Sequence, residues 1–406
     1  MVSQNALQKE KQNGKNFFES GIYDDGFGAL KQYLSDYVGC KVCFLQSCEN
    51  YLSNKSFVEE CGVQAFFLLS DDSATMRNFL EVSKVCGDCT LIVCMDISSI
   101  NYAKMLNVRL KINCFYFFAY LPPVDAFFPY YLVFDGNQYL KKPCNAVKNY
   151  IVCYSGGVVQ DKSVLIPCVS SLLCAFCSFL DIQINNHIFG TSLPANYKDN
   201  FIYFTKTLFY LFKQIHDMKE DFLDVMHALS LDFANFFNSQ NISLQPYCFA
   251  SIYQYLQSGK KSNFYESGMI ASQIIVHLYQ DFFNKYNVQN SFKFSVHKKK
   301  QMHAKFFNDC SYNVQLKSLQ EYDIIIYLIN RFKKKLGKKC SSFASIVDRL
   351  VNYALDLYAD CGYSLYKNFD KQKTLQALYF TPDFTLDKTL LNVINDYGIF
   401  DNIDAK

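Results

Sequence analysis

The sequence predicts an α/β N-terminal half, mainly parallel sheet, followed by a mainly α-helical C-terminal half. Three observations carry this. Short apolar runs alternate with amphipathic ones up to about residue 155, helical apolar spacing dominates after residue 200, and the turn-rich stretch Gly190-Thr-Ser-Leu-Pro-Ala-Asn196 lies between them. The expected organisation is a flexible N-terminus over 1–20, an α/β domain over 21–195, and a helical domain over 196–406 with a basic segment at 291–340.

Residues 1–20 are polar and lysine-rich, so they have little to bury. Apolar periodicity starts near Phe27, with Leu30, Tyr33, Leu34 and Val38 at helical spacing and Gly39 as the stop. Lys41–Gln46, Val63–Leu69, Thr90–Met95 and Tyr130–Phe134 read as buried strands. Between them, Ser73–Val85 places Met76, Phe79, Leu80 and Val82 on one side, and Ser99–Leu106 makes a second short helix. Strands alternating with helices of this length predict βαβ units. Asp135-Gly136 between Val133 and Tyr139 signals a tight hairpin.

The order strand, helix, strand, helix, strand, hairpin over 57–142 is topologically similar to a thioredoxin-like domain. Where such a domain has its redox Cys-x-x-Cys, this chain has Leu69-Ser-Asp-Asp-Ser73, so the resemblance implies the fold without thiol exchange. After the boundary, helical spacing runs through 201–216, 220–237, 247–257, 269–286, 322–336, 343–358 and 385–397. Two long apolar stretches have the composition to be considered as membrane spans. Ile112–Phe134 holds Pro122, Pro123, Pro129 and Asp125, and Val164–Leu180 is short and holds Ser170, Ser171 and Ser178, so membrane insertion is not expected.

Half of the 406 residues are hydrophobic, which excludes disorder of the whole chain. Abundant Phe and Tyr without Trp, alongside much Asn, Lys and Ile, suggests an A/T-rich genome. The 17 cysteines are odd in number and lie in a long chain whose start is too polar for a signal peptide. They are expected to be reduced, mostly buried and cytoplasmic.

The charge is local. Residues 291–340 hold twelve Lys or Arg against three acids, whereas the whole chain nets +3. Lys298, Lys299, Lys300 and Lys305 form one cluster, and Arg331, Lys333, Lys334, Lys335, Lys338 and Lys339 a second at the end of an expected helix. Such groups neutralise phosphates, and neighbouring Phe rings can stack on bases, so RNA or another polyanion is the expected partner, beside protein partners. A solvated basic face is the plain alternative.

Cys40-x-x-Cys43 and Cys86-x-x-Cys89 have the one metal-like spacing, because paired thiolates two residues apart can grip one side of a tetrahedral zinc. Both pairs also flank expected buried strands, where cysteine is ordinary packing. Apart from that zinc no cofactor is expected. Tyr154-Ser-Gly-Gly-Val158 lacks both the Lys-Ser/Thr of a P-loop and the third spaced Gly of a dinucleotide site. The six histidines form no local Cys/His signature, so no catalytic residue is assigned.

Tyr131-Leu-Val-Phe-Asp-Gly136 and Thr385-Leu-Asp-Lys-Thr-Leu-Leu-Asn-Val-Ile394, followed by Asp396-Tyr-Gly, are similar to segments of the largest non-structural protein of nidoviruses, the order containing coronaviruses and toroviruses. That resemblance implies a viral replicase subunit in the host cytoplasm and carries over no functional residue. The leading expectation is therefore a non-enzymatic viral interaction protein with a basic, RNA-binding C-terminal surface. The alternatives are a divergent enzyme with an unrecognised site, or a zinc-stabilised regulatory module.

Overall fold

The computed structural model describes residues 20–46, 48–69, 76–97, 99–134, 139–153, 162–215, 217, 221–238, 245–256, 264–285, 319–362, 369–384 and 389–396. The chain forms two compact units. The first comprises residues 1–122, 129–131 and 142–160, and the second 123–128, 132–141 and 161–406. The division after residue 160 differs from the expected boundary at 195. The apolar segment before Gly190 is a helix whose buried sides need helical partners, so it folds with the second unit.

The first unit runs β1 (Gly21–Tyr23), α1 (Gly26–Leu34), β2 (Lys41–Gln46), α2 (Cys48–Glu59), β3 (Gln64–Leu69), α3 (Met76–Cys86), β4 (Leu91–Cys94), α4 (Ile100–Leu110) and β5 (Asn113–Phe118). β6 (Tyr130–Phe134) and β7 (Tyr139–Pro143) form a separate two-stranded sheet, each with residues assigned to both units, and β8 (Tyr150–Cys153) belongs to the first unit. The main sheet has the order β1-β8-β5-β4-β2-β3, and every pairing in it is parallel.

Its strands are apolar on both faces, as a parallel sheet with helices on each side requires. Val42 and Phe44 of β2, Leu91 and Val93 of β4, and Phe115 and Phe117 of β5 pack with Leu30 and Leu34 of α1 and Val58 after them in α2. On the other face the thiol of Cys114 in β5 donates to the carbonyl of Ala103 in α4, 3.2 Å away. Gly26 is required where α1 meets β8, since a Cβ there would lie 2.6 Å from Cβ of Cys153.

This architecture corrects the thioredoxin-like expectation. The hairpin strands β6 and β7 sit outside the main sheet, and the strands that complete it are β5, β8 and β1. Broadly, a parallel-sheet α/β part followed by a helical part is what the structure shows.

The second unit contains α5 (Ile166–Ile188), α6 (Tyr197–Gln214), α7 (Phe222–Asn238), α8 (Gln245–Leu256), α9 (Phe264–Lys285), α10 (Leu319–Asp360), α11 (Lys371–Phe384) and α12 (Leu390–Asp396). Helix α5 is apolar on nearly all sides and packs against α9 and α10. By length and composition the segment Lys162–Ile188 could cross a membrane, yet 83% of its most apolar window is buried within the protein. A core helix and a spanning helix share that composition, and here helices supply the apolar surroundings. Phe179 stacks or crosses rings with Phe201, Phe204, Phe233, Phe236 and Phe237, which ties α5 to α6 and α7.

Candidate functional site

The sheet order fixes where a ligand can enter. From β2 the chain passes outward to β3 and then returns across β2 to β4, so the connections after β2 and β4 leave in opposite directions. Open α/β sheets bind ligands in the crevice that this switch opens at the carboxyl ends of the strands.

Here β2 ends in Gln46, and β4 is followed by Met95 and Asp96. Met95 N–H donates to Leu45 O at 2.8 Å, which holds the two strand ends side by side. Gln46 is fully buried and its Oε1 accepts from Nδ2 of Asn54 at 3.0 Å. Its Nε2 has no hydrogen-bond partner, nor does Oγ of the fully buried Ser99. Buried polar groups are nearly always paired, so two orphans at one switch point mark a place built to meet something else.

Asp96 is 8% exposed, and its Oδ1 accepts the backbone N–H of Ser99 at 3.0 Å, capping α4 in place of the Ser99 hydroxyl. Tyr120, just past β5, has its phenol pushed up by burial and then by the negative charge of Asp96, so it lies within that carboxylate's field. Further along α4, the fully buried Lys104 donates from Nζ to Tyr130 O at 3.2 Å. None of Gln46, Asp96, Ser99 or Lys104 was singled out from the sequence. The available signal was a polar residue at the carboxyl end of a buried strand that feeds a helix: Gln46 closes β2, and Asp96 follows Met95 beyond β4.

The crevice does not fit a phosphate at α4. A pyrophosphate needs glycine for close backbone approach and free N–H groups at a helix start. The connection Met95-Asp96-Ile97-Ser98-Ser99 has no glycine, and a carboxylate already occupies the helix N-terminus. An amide donor, a hydroxyl and a carboxylate suit the hydroxyls of a neutral ligand.

The expected zinc site does not form. Cys43 and Cys86 meet, with Sγ atoms 3.5 Å apart, and Cys89 stands beside them. No group of three His, Cys, Asp or Glu able to hold a metal occurs among the described residues. Cys40 and Cys43 are three residues apart along extended chain, so their side chains leave on opposite faces, whereas a thiolate pair grips metal from a turn.

Of the expected basic residues, those on α10 divide between two places. Lys298, Lys299, Lys300 and Lys305 lie outside the described residues. On α10, Arg331, Lys333, Lys334 and Lys338 line an open cavity of about 740 Å³ with Asn284 and Ser341. Lys335 and Lys339 instead bring their charge to His187 of α5, whose ring is held below its usual pKa first by burial and then by these ammonium groups. A run of lysines on a helix is spread around the axis, which scatters a cluster that looks compact in sequence. Helices α9 and α10 approach closely there because residue 337 is glycine. A Cβ would lie 2.6 Å from Oδ1 of Asn284.

Among the other histidines, Nε2 of His277 is 2.8 Å from Oδ1 of Asp348 and Nδ1 is 3.1 Å from Oε1 of Gln280. His227 is kept below its usual pKa by burial. His216, His297 and His303 lie outside the described residues.

No protein-family model matches the sequence, and no curated protein matches it. Solved structures do. The chain is similar to an archaeal halo-thermophilic Red Sea brine pool alcohol dehydrogenase at a TM-score of 0.54 and 11% identity, covering 96% of this chain and 98% of that one. It is similar to a putative alcohol dehydrogenase from Ralstonia eutropha at 0.52 and 7%, covering 96% of each. An iron-containing alcohol dehydrogenase from Thermotoga maritima matches at 0.50 and 9%, covering 95% of this chain and 99% of that one.

These likenesses overturn several expectations. The fold is one that serves enzymes in its structural neighbours, not that of a nidovirus replicase subunit, so the non-enzymatic, viral, RNA-binding reading and its host-cytoplasm location are withdrawn. The expectation of no cofactor falls on the same ground, because neighbours are named as iron-containing. The described residues nevertheless bring no iron ligand set together. What the likenesses show is the fold alone: a parallel-sheet α/β part followed by a helical part.

Proposed function

We propose that the chain is a divergent enzyme of the oxidoreductase class, and that its ligand enters the crevice at the carboxyl ends of β2 and β4. The observation that carries this reading is the coincidence of a dehydrogenase scaffold over 96% of the chain with two unpartnered buried polar atoms, Gln46 Nε2 and Ser99 Oγ, at that scaffold's switch point. The reaction class is alcohol–carbonyl interconversion, taken from the names of the neighbours.

The roles of the residues follow from their chemistry. Gln46 Nε2 donates to a ligand oxygen while Asn54 orients the amide through its Oε1. Ser99 Oγ donates or accepts as its rotor permits. Asp96, fixed by the N–H of Ser99, accepts from a ligand hydroxyl and repels phosphate. The walls of Tyr120 and the buried strand ends exclude water. The ligand fitting these groups is a neutral, hydroxylated one, such as a nucleoside, a ribosyl group or a polyol. The buried free thiols support a reducing, cytoplasmic setting.

The test is a thermal-shift and calorimetric titration with adenosine, NAD(H), NADP(H) and glycerol, alongside turnover of small alcohols and aldehydes with each dinucleotide, with and without added Fe(II). Binding that is lost in Gln46→Leu and Asp96→Asn is the expected result. No binding of any of these compounds together with no turnover overturns the reading.

A further inference from the structure

We infer that Cys43 and Cys86 are a redox-modifiable pair that closes into a disulfide when the folded protein meets a hydroperoxide, with Cys86 attacking first. The pair is independent of the β2–β4 crevice and of the enzyme reading.

The geometry comes from two elements that the fold presses together. Cys43 lies in the middle of β2 on the face away from Val42 and Phe44, and Cys86 is the last residue of α3, which covers that face. Both are fully buried, and their Sγ atoms stand 3.5 Å apart. Bond formation brings the sulfurs together to about 2.05 Å, so they must close by only about 1.5 Å. Cys89 is within hydrogen-bond reach of Cys43 and is 7% exposed, which places a third thiol on the outer side of the pair.

The surroundings divide the roles. The Cys86 thiol is held below its usual pKa, first by the hydrogen bond with Cys43 and, against burial, by the Lys41 ammonium. Cys43 is pushed the other way by the same hydrogen bond and by burial. Of the two, Cys86 is the one that the Lys41 ammonium favours as thiolate, and it takes the role of nucleophile. Lys41 is itself held near the pair by Asp88, 3.8 Å away.

The steps balance. Cys86 thiolate attacks the hydroperoxide, an S–O bond forms, the O–O bond breaks, and the alcohol or water leaves with one proton. Cys43 sulfur then attacks Sγ of the Cys86 sulfenic acid, the S–S bond forms, the S–OH bond breaks, and water leaves with the Cys43 proton. Two thiols and one hydroperoxide give one disulfide, one alcohol or water and one further water. The oxidant reaches the sulfurs through local opening around the turn after α3, where Cys89 N–H bonds Cys86 O at 3.0 Å.

The experiment treats the folded full-length protein with hydrogen peroxide, blocks remaining thiols by alkylation and maps disulfides by digestion and mass spectrometry. A linked peptide pair joining Cys43 to Cys86, with intact mass lower by two hydrogens and reversal by dithiothreitol, is expected. Cys89→Ser keeps the bond. Cys86→Ser and, as a second variant should that one fold poorly, Cys43→Ala abolish it. Bonds only among the half-buried Cys40, Cys144 and Cys361, a Cys86–Cys89 bond in place of the named one, or no bond at all overturns the inference.

Discussion

Replacing Ser99 with alanine removes a group that the ligand-free protein gains nothing from. Oγ of Ser99 is fully buried and unpartnered, and its backbone N–H, not its hydroxyl, engages Asp96. An unsatisfied buried hydroxyl costs about 1–3 kcal/mol. The void left by one oxygen, roughly 10 Å³, costs only about 0.2 kcal/mol at the rate found for core cavities. The net expectation for Ser99→Ala is a gain of about 1–2 kcal/mol, which is about 2–8 °C in Tm at roughly 2–4 °C per kcal/mol. Gln46→Leu is the internal control. It removes the orphan Nε2 but also the acceptor of Asn54, worth about 1 kcal/mol, so its net effect is near zero. Urea and thermal unfolding followed by circular dichroism, without ligand, measure both. An unchanged or lower Tm for Ser99→Ala would mean that the hydroxyl is satisfied in the free protein, and the crevice would lose its claim as a ligand site.

Two other expectations follow from buried ionisable groups. Burial raises the Glu266 carboxyl to about 7, above its ordinary 4.5, so the folded protein holds that proton more tightly than the unfolded chain. Its contribution is neutral below pH 4.5, turns destabilising as pH rises from 4.5 to about 7, and is fully destabilising above that. Glu266→Gln should therefore raise Tm at pH 8 and leave it unaltered near pH 4; equal shifts at both would refute this. The Tyr279 hydroxyl donates to Oδ1 of Asp181 at 2.9 Å between two buried residues of α9 and α5. Tyr279→Phe should cost about 1.5–3 kcal/mol in urea unfolding, and a double-mutant cycle with Asp181→Asn should show strong coupling, with additivity as the refuting result.

Much of the sheet was legible because parallel strands are apolar on both faces. Lys41–Gln46 was legible with the bounds it has, β3 and β4 within one residue at each end, and the helices before β4 and after it within a few residues. Strand β5 escaped because Asn113–Phe118 sits inside a long uncharged stretch that offers no boundary to its apolar run. Helix α2 escaped because Cys48–Glu59 has almost no apolar side to betray its period. The order of strands was not legible at all, since Val93 pairs with Phe44 on one side and Phe115 on the other through crossovers that leave no local mark. The same limit hid the site: Gln46 and Ser99 are ordinary residues 52 intervening positions apart in sequence, and what distinguishes them is a buried polar atom without a partner. The cysteine spacing misled in the opposite sense, because a two-residue gap implies a shared metal only in a turn, and Cys43 belongs to a strand.

Helix α5 poses a problem of biosynthesis. Its 23 residues extend about 35 Å, enough to span a bilayer core, and the helices that cover it, α9 and α10, leave the ribosome only after it. For that interval the segment offers targeting machinery the same stretch of apolar surface as a membrane anchor. A nascent chain halted before residue 264 should therefore partition with membranes or chaperones, while the finished chain should not. Polar substitution at Leu172 or Phe176 should release the halted chain and ruin the finished one, because both side chains are fully buried once the covering helices arrive.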